Sequence, residues 1–214
     1  MVSAAAALAH LGRPFRYPRG AVIFVQRDQA TKLYLILEGI VKLSIFTAQG
    51  DERIIEFIRP PRFLGAPDVF SGSLYGITAT AYTNVLVASF GAEQVRQLLG
   101  TNREFATCLA LSLSQHARAL GRQLVGDTFF PATGRIAFAL LNLAIQIGVA
   151  ADGGAIHLPI TQQDLARYAG CNRVTVTKAL AELAAAGLVE RSKRHLFLPD
   201  PEALRRWLKE IQSV

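Results

Sequence analysis

The side chains best suited to reading a chemical pattern lie between Thr161 and Leu198. Arg173 and Lys178 carry donors that match the O6 and N7 acceptors of guanine, and Val174, Thr175 and Thr177 carry methyl groups that can pack on thymine methyls. At helical spacing, Val174, Thr177, Lys178 and Ala181 share one face, while Val176, Ala179, Leu180 and Leu183 share the opposite one. The small Ala181 leaves room for close approach to bases. Upstream, Thr161, Gln162 and Gln163 stand where a helix begins, and the free amides of a helix N-terminus suit a phosphate. Lys193 and Arg194, in the run Arg191-Ser192-Lys193-Arg194, supply charge for contacts to a nucleic-acid backbone that do not depend on sequence.

Such groups need elements that hold them. Thr161 with Asp164 three residues on has the form of a capping box, so a short helix is expected over 162–168, stopping at Ala169-Gly170. A second helix follows, capped by Cys171 or Asn172 and closed by Gly187 in the left-handed conformation. Leu188-Val189-Glu190 and His195-Leu196-Phe197-Leu198 flank the basic tip as a two-stranded wing. This order of parts predicts a winged helix-turn-helix, whose first helix lies over the DNA backbone and whose second enters the major groove. A helical hairpin that docks on another protein shares the cap and the turn, and stands as the alternative.

The first half has a different period. Short β-rich runs over 21–25, 33–37, 40–46, 53–58, 77–83 and 85–90 are separated by turn residues such as Glu38-Gly39 and Gln49-Gly50-Asp51, which predicts a small β-barrel or jelly roll. The stretch from Pro60-Pro61 to Gly76 interrupts it, as either a ligand loop or a plain connection. Beyond Gly91 the period becomes helical, with a short helix over 93–99 and a long one over 103–125, ended by Gly126, Asp127 and Pro131. Leu109, Leu113, His116, Leu120 and Leu124 form a narrow stripe on the long helix, which suits a dimer seam better than packing on the chain's own barrel. Residues 133–147 read as a helix and 148–154 as a loop. The expected division is thus 1–100 for an effector barrel, 101–130 for a dimerisation helix and hinge, and 131–214 for the winged helix-turn-helix.

Composition narrows the function classes. With 51% hydrophobic and 18% charged residues the 214-residue chain is too apolar to be disordered, and no run of 18 apolar residues exists to span a membrane. Cys108 and Cys171 are too few and too far apart for a disulfide framework, a zinc ribbon or a cysteine-ligated cluster. The Ala-rich start lacks the basic flank of a secretion signal and reads as a helix capped by Ser3, so a cytoplasmic location is expected. Net charge is +4 over 1–130 (13 Lys and Arg, 9 Asp and Glu) and +3 over 131–214 (10 and 7), so basicity is spread rather than concentrated. A jelly-roll metalloenzyme is not expected, because residues 20–90 contain no histidine. A purely architectural protein is a third reading, to be separated by site-selective DNA binding.

The sequence resembles the Crp/Fnr family of bacterial transcription regulators. The likeness is carried by Leu33-Tyr34-Leu35-Ile36-Leu37-Glu38-Gly39, Phe63-Leu64-Gly65, Thr133-Gly134-Arg135-Ile136-Ala137 and Thr161-Gln162-Gln163-Asp164-Leu165-Ala166, leading into Gly170-Cys171-Asn172-Arg173-Val174-Thr175-Val176-Thr177-Lys178. The resemblance implies an α+β protein with an N-terminal barrel like a cyclic-nucleotide-binding domain, a long dimerisation helix and a C-terminal winged helix-turn-helix. It implies a homodimer on a near-palindromic site in double-stranded DNA, with the loop over 148–154 as a surface for RNA polymerase or a plain connection.

Where family members place a Gly-Glu pair for ribose and an Arg-Ser pair for cyclic phosphate, this chain has Gly65-Ala66 and Tyr75-Gly76. The polar helix contacts of those members fall on Leu120 and Gly121. A buried phosphate without a guanidinium is poorly compensated, so cyclic AMP is disfavoured. The resemblance leaves a barrel pocket lined by Tyr75, Thr78, Thr80 and Tyr82 beside His116, for a small organic effector in preference to haem. A cyclic-nucleotide sensor or an effector-independent DNA-binding protein remain as alternatives; an iron–sulfur cluster is not expected. The run Arg173-Val174-Thr175-Val176-Thr177 is similar to that of the nitrogen-control members, and lacks the carboxylate that in other members follows the Arg.

Overall fold

The computed structural model describes residues 8–192 and 195–212. The expected Ser3 cap and the wing-tip Lys193 and Arg194 lie outside the described residues.

The chain divides into two compact units, 1–119 and 120–214. The first is built on strands β1 (Arg13–Tyr17), β2 (Val22–Phe24), β3 (Lys32–Glu38), β4 (Val41–Phe46), β5 (Glu52–Ile58), β6 (Arg62–Leu64), β7 (Thr78–Ala81) and β8 (Val85–Gly91). They form two antiparallel four-stranded sheets, ordered β1-β8-β3-β6 and β2-β7-β4-β5. Alternation explains the continuous apolar run in β3. Tyr34 and Ile36 enter a core shared by both sheets, with Phe24, Val41, Leu43, Leu64 and Tyr75. Leu33 and Leu35 point the other way, into a second cluster with Phe63, Phe90, Val95, Phe105 and Leu109. A sheet covered on both faces needs apolar residues at every inner position, and residues 33–37 of β3 supply them.

The interrupting stretch is more ordered than expected. It contains β6 and a short helix α1 (Ala66–Ser71), entered through Gly65 at φ 81° and left through Gly72 at φ 67°. A Cβ at Gly65 would also lie 3.0 Å from the Tyr75 ring, so both backbone and space call for glycine there. Strand β1 was not anticipated either. Pro14, Arg13 and Arg16 give it the composition of an edge strand, and an edge is where it sits.

Helix α2 (Ala92–Thr101) covers the second cluster, and α3 (Arg103–Phe129) follows. The long helix does not stop at Gly126 or Asp127, as expected, but runs to Phe129. A Cβ at Gly126 would stand 2.7 Å from Cδ1 of Phe138, so this glycine permits close packing rather than ending the helix.

The second unit contains α4 (Ala132–Ile147), β9 (Val149–Ala150), β10 (Ile156–Leu158), α5 (Gln162–Ala169), α6 (Arg173–Ala185), β11 (Glu190–Arg191), β12 (Leu196–Leu198) and α7 (Pro201–Gln212). Its small sheet has the order β11-β12-β10-β9. The segment expected as a loop over 148–154 holds strand β9 and a single 3-10 turn. Among the described residues no helix is long and apolar enough to cross a membrane.

Candidate nucleic-acid interface and effector site

The turn between α5 and α6 is fixed by three local devices. Thr161 Oγ1 accepts from the backbone N–H of Asp164 at 3.0 Å and donates to the Asp164 carboxylate at 2.8 Å, so the first helix is capped as its sequence suggested. Gly170 turns the chain at φ 61°. Of the two possible caps for the second helix, Asn172 fills the role: its Oδ1 accepts from Thr175 N–H at 2.8 Å. Gly187 follows at φ 69°, the left-handed conformation expected of it.

These caps rotate α6 so that Val176, Ala179, Leu180 and Leu183 are buried. Arg173, Val174, Thr177, Lys178 and Ala181 are left exposed, and Thr175 is half-buried. Val174 is 64% exposed. A large apolar side chain held out on a polar face has no folding purpose in the isolated unit, and it sits beside the two cations. The Thr177 hydroxyl donates to Arg173 O at 3.0 Å and lies 3.5 Å from Gln162 Oε1, which brings the start of α5 alongside α6. Thr161 and Gln163 are exposed and Gln162 is half-buried.

In the small sheet, the His157 ring of β10 lies tilted against Phe197 at 4.9 Å and against His195 at 4.7 Å between ring centroids. Partial burial, and secondarily the His195 charge, lower the pKa of His157 below the ordinary value of 6.5.

The residues expected to line an effector pocket are used largely by the barrel itself. Tyr75 is part of the barrel's shared core. It is buried, stacks on Phe24 at 4.0 Å, and its hydroxyl donates to Lys32 O at 2.6 Å. Burial raises its pKa. Thr78 is buried and accepts from Gln26 N–H at 3.0 Å. Gly76 N–H donates to Asp68 Oδ2 at 3.3 Å, Ala66 packs in the second cluster, and Thr80 pairs with Lys42 in the β4–β7 ladder. Tyr82 meets Phe57 edge-on at 4.9 Å. An aromatic block of Phe24, Tyr34 and Tyr75 therefore occupies the middle of the barrel.

The stripe on α3 also divides. Leu109 is 2% exposed and belongs to the second cluster, and Leu113 packs against it, so these two serve the chain's own barrel rather than a seam. His116 Nδ1 donates to Glu56 Oε2 at 2.5 Å. Leu120 and Leu124 remain exposed, Leu124 at 69%. Spacing placed all five on one face without revealing that the face changes what covers it.

Sequence reading missed Glu56, which holds His116, and Arg62, which holds Glu56. The available signal was Glu56 two residues from Ile54 and Ile58, on the core-facing register of β5. Among the described residues, no group of three or more His, Cys, Asp or Glu is placed to hold a metal ion.

A capped helix-turn-helix beside a small sheet, preceded by a two-sheet barrel and a long helix, defines the class of ligand-responsive DNA-binding regulators. Comparison with known proteins agrees. Residues 14–102 match the cyclic nucleotide-binding domain, and residues 134–207 match the Crp-like helix-turn-helix domain. A CRP-like cAMP-activated global transcriptional regulator of Mycobacterium tuberculosis is 30% identical over 206 residues, covering 95% of this chain and 92% of the relative. The cAMP-activated global transcriptional regulator CRP of Escherichia coli is 28% identical, with coverage of 81% and 83%. A Crp/Fnr-family regulator of Thermus thermophilus superposes with a TM-score of 0.78 at 26% identity, covering 92% of this chain and 98% of that one. The chain belongs to the Crp/Fnr family of transcriptional regulators. It is a DNA-binding transcription regulator with an effector-binding domain.

Proposed function

We propose that the protein is a homodimeric, sequence-specific regulator whose operator affinity is set by a small organic effector other than cyclic AMP. The observation that carries the DNA part is the outward face of α6, where Arg173, Val174, Thr177 and Lys178 stand exposed on a helix capped by Asn172. Arg173 donates to a guanine, Val174 and the Thr175 and Thr177 methyls read neighbouring thymines, and Lys178 adds a second donor. Thr161, Gln162 and Gln163 contact phosphate from the start of α5, and Lys193 and Arg194 do so from the wing.

Two copies bring two such helices to half-sites about 34–36 Å apart. The exposed Leu120 and Leu124 favour pairing through α3, with Leu109 and Leu113 left to the barrel. Both named relatives above are cAMP-activated. Tyr75 stands where the resemblance expects the phosphate-binding Arg, and it is stacked and hydrogen-bonded within the barrel core. A cyclic phosphate at that position has no guanidinium to meet it, which supports a different effector. The effector acts by population shift, favouring one arrangement of the dimer over another. The test is operator binding with and without cyclic AMP at saturating concentration. Unchanged affinity supports the reading, and strong activation overturns its effector part.

A further inference from the structure

The barrel holds a buried charged cluster that the DNA-reading machinery does not use. Glu56 of β5 is 1% exposed, and its two oxygens have different partners: Arg62 Nη1 of β6 donates to Oε1 at 2.5 Å, and His116 of α3 donates to Oε2. Register places the pair precisely enough to say what it spans. Glu56 lies opposite Leu43 and Arg62 opposite Ile36, and both of those are core residues. Cross-strand partners share a face, so Glu56 and Arg62 bridge the two sheets from within. His116 closes the cluster from the long helix.

One edge of Arg62 is unused. Nε and Nη2 are buried and have no hydrogen-bond partner among the described residues. Together they are the side-on fork of the guanidinium, two parallel donors whose natural complement is a carboxylate. The side chain keeps 13% exposure, so solvent reaches part of it. Glu56 already takes the Nη1 edge of the guanidinium, so what is left is one planar pair of donors, which the two coplanar oxygens of a carboxylate match. The family's phosphate-binding Arg position is filled here by Tyr75, yet the barrel still carries a guanidinium inward from another strand.

We propose that the effector is a small monocarboxylic acid, bound side-on by Nε and Nη2 of Arg62 between the two sheets. Its arrival is passed through Glu56 to His116 on α3, a positioning residue. This rests on the reading of the barrel as the effector domain.

The experiment titrates the full-length protein, with arginine side chains labelled with nitrogen-15, using acetate, benzoate, acetamide, benzamide and inorganic phosphate. Acetate and benzoate are expected to shift the Arg62 Nε–H resonance saturably, and the amides and phosphate to leave it in place. Arg62→Lys keeps a cation for Glu56 but removes the fork, and should weaken benzoate binding by about tenfold or more. The resonance assay in the unsubstituted protein stands even where that variant folds poorly. The proposal is overturned if neither acid moves the Arg62 signals, which would mean that solvent satisfies the fork, or if the amides act equally. Operator affinity measured in parallel separates the two readings: a carboxylate that occupies Arg62 without altering DNA binding leaves the site standing and removes its regulatory role.

Discussion

Asn172 is a single side chain on which the orientation of α6 depends, because its carbonyl occupies the N–H of Thr175. Asn172→Ala should cost about 1 kcal/mol of stability, read as a lower Tm, and weaken operator binding along with it. Arg173→Ala should instead leave Tm unchanged, cost about 1–3 kcal/mol of operator affinity, and relax selection at one base pair. Equal loss on every DNA sequence would assign Arg173 to phosphate. His157 gives a pH signature. Its pKa is lowered in the folded chain, so the unfolded chain binds the proton more readily, and stability is lost as pH falls below about 6.5. His157→Gln should flatten that loss between pH 7.5 and 5.5 in thermal unfolding; an identical slope in both proteins would remove His157 as its source. At this scale the caps and the exposed face of α6 were legible because cap, turn and helix face follow local rules. Tyr75 was not, since whether an aromatic lines a cavity or fills it depends on Phe24 and Tyr34, which come from distant strands.

Helix α3 shows what periodicity can and cannot decide. Leu109 and Leu124 occupy the same stripe, but one is buried against Phe63, Phe90 and Phe105 and the other is exposed. Leu109→Ala should cost about 2–5 kcal/mol by leaving a cavity in the barrel's second cluster. Leu124→Glu should leave the barrel's stability intact and shift the protein toward monomer in sedimentation at micromolar concentration. The converse pattern would return the whole stripe to the barrel. Strands β3, β4, β5 and β8 were legible from their β-rich composition and the turn residues that separate them. Strand β1, with Pro14 and two arginines, carries no such signal, and the three residues of β6 are too few to show a period. The continuation of α3 past Gly126 was hidden for a related reason. A glycine that ends a helix and one that admits a neighbouring ring look the same until Phe138 is placed beside it.

At the scale of the molecule, a helix-turn-helix domain follows a barrel that matches the cyclic nucleotide-binding domain. Phe24, Tyr34 and Tyr75 fill its middle, and Glu56, Arg62 and His116 place a charged cluster between sheets and helix. The family was readable because the helix-turn-helix motif and the barrel motifs are both continuous in sequence. The charged cluster draws one residue from each of three elements, and only the closed barrel brings them together. The most direct test of the account is selection of bound sequences from a random DNA pool, with purified protein alone and with small-metabolite extract added. The account predicts a near-palindromic motif whose enrichment changes with the extract and whose preferred guanine is lost in Arg173→Ala. Binding with no motif in either condition would contradict it.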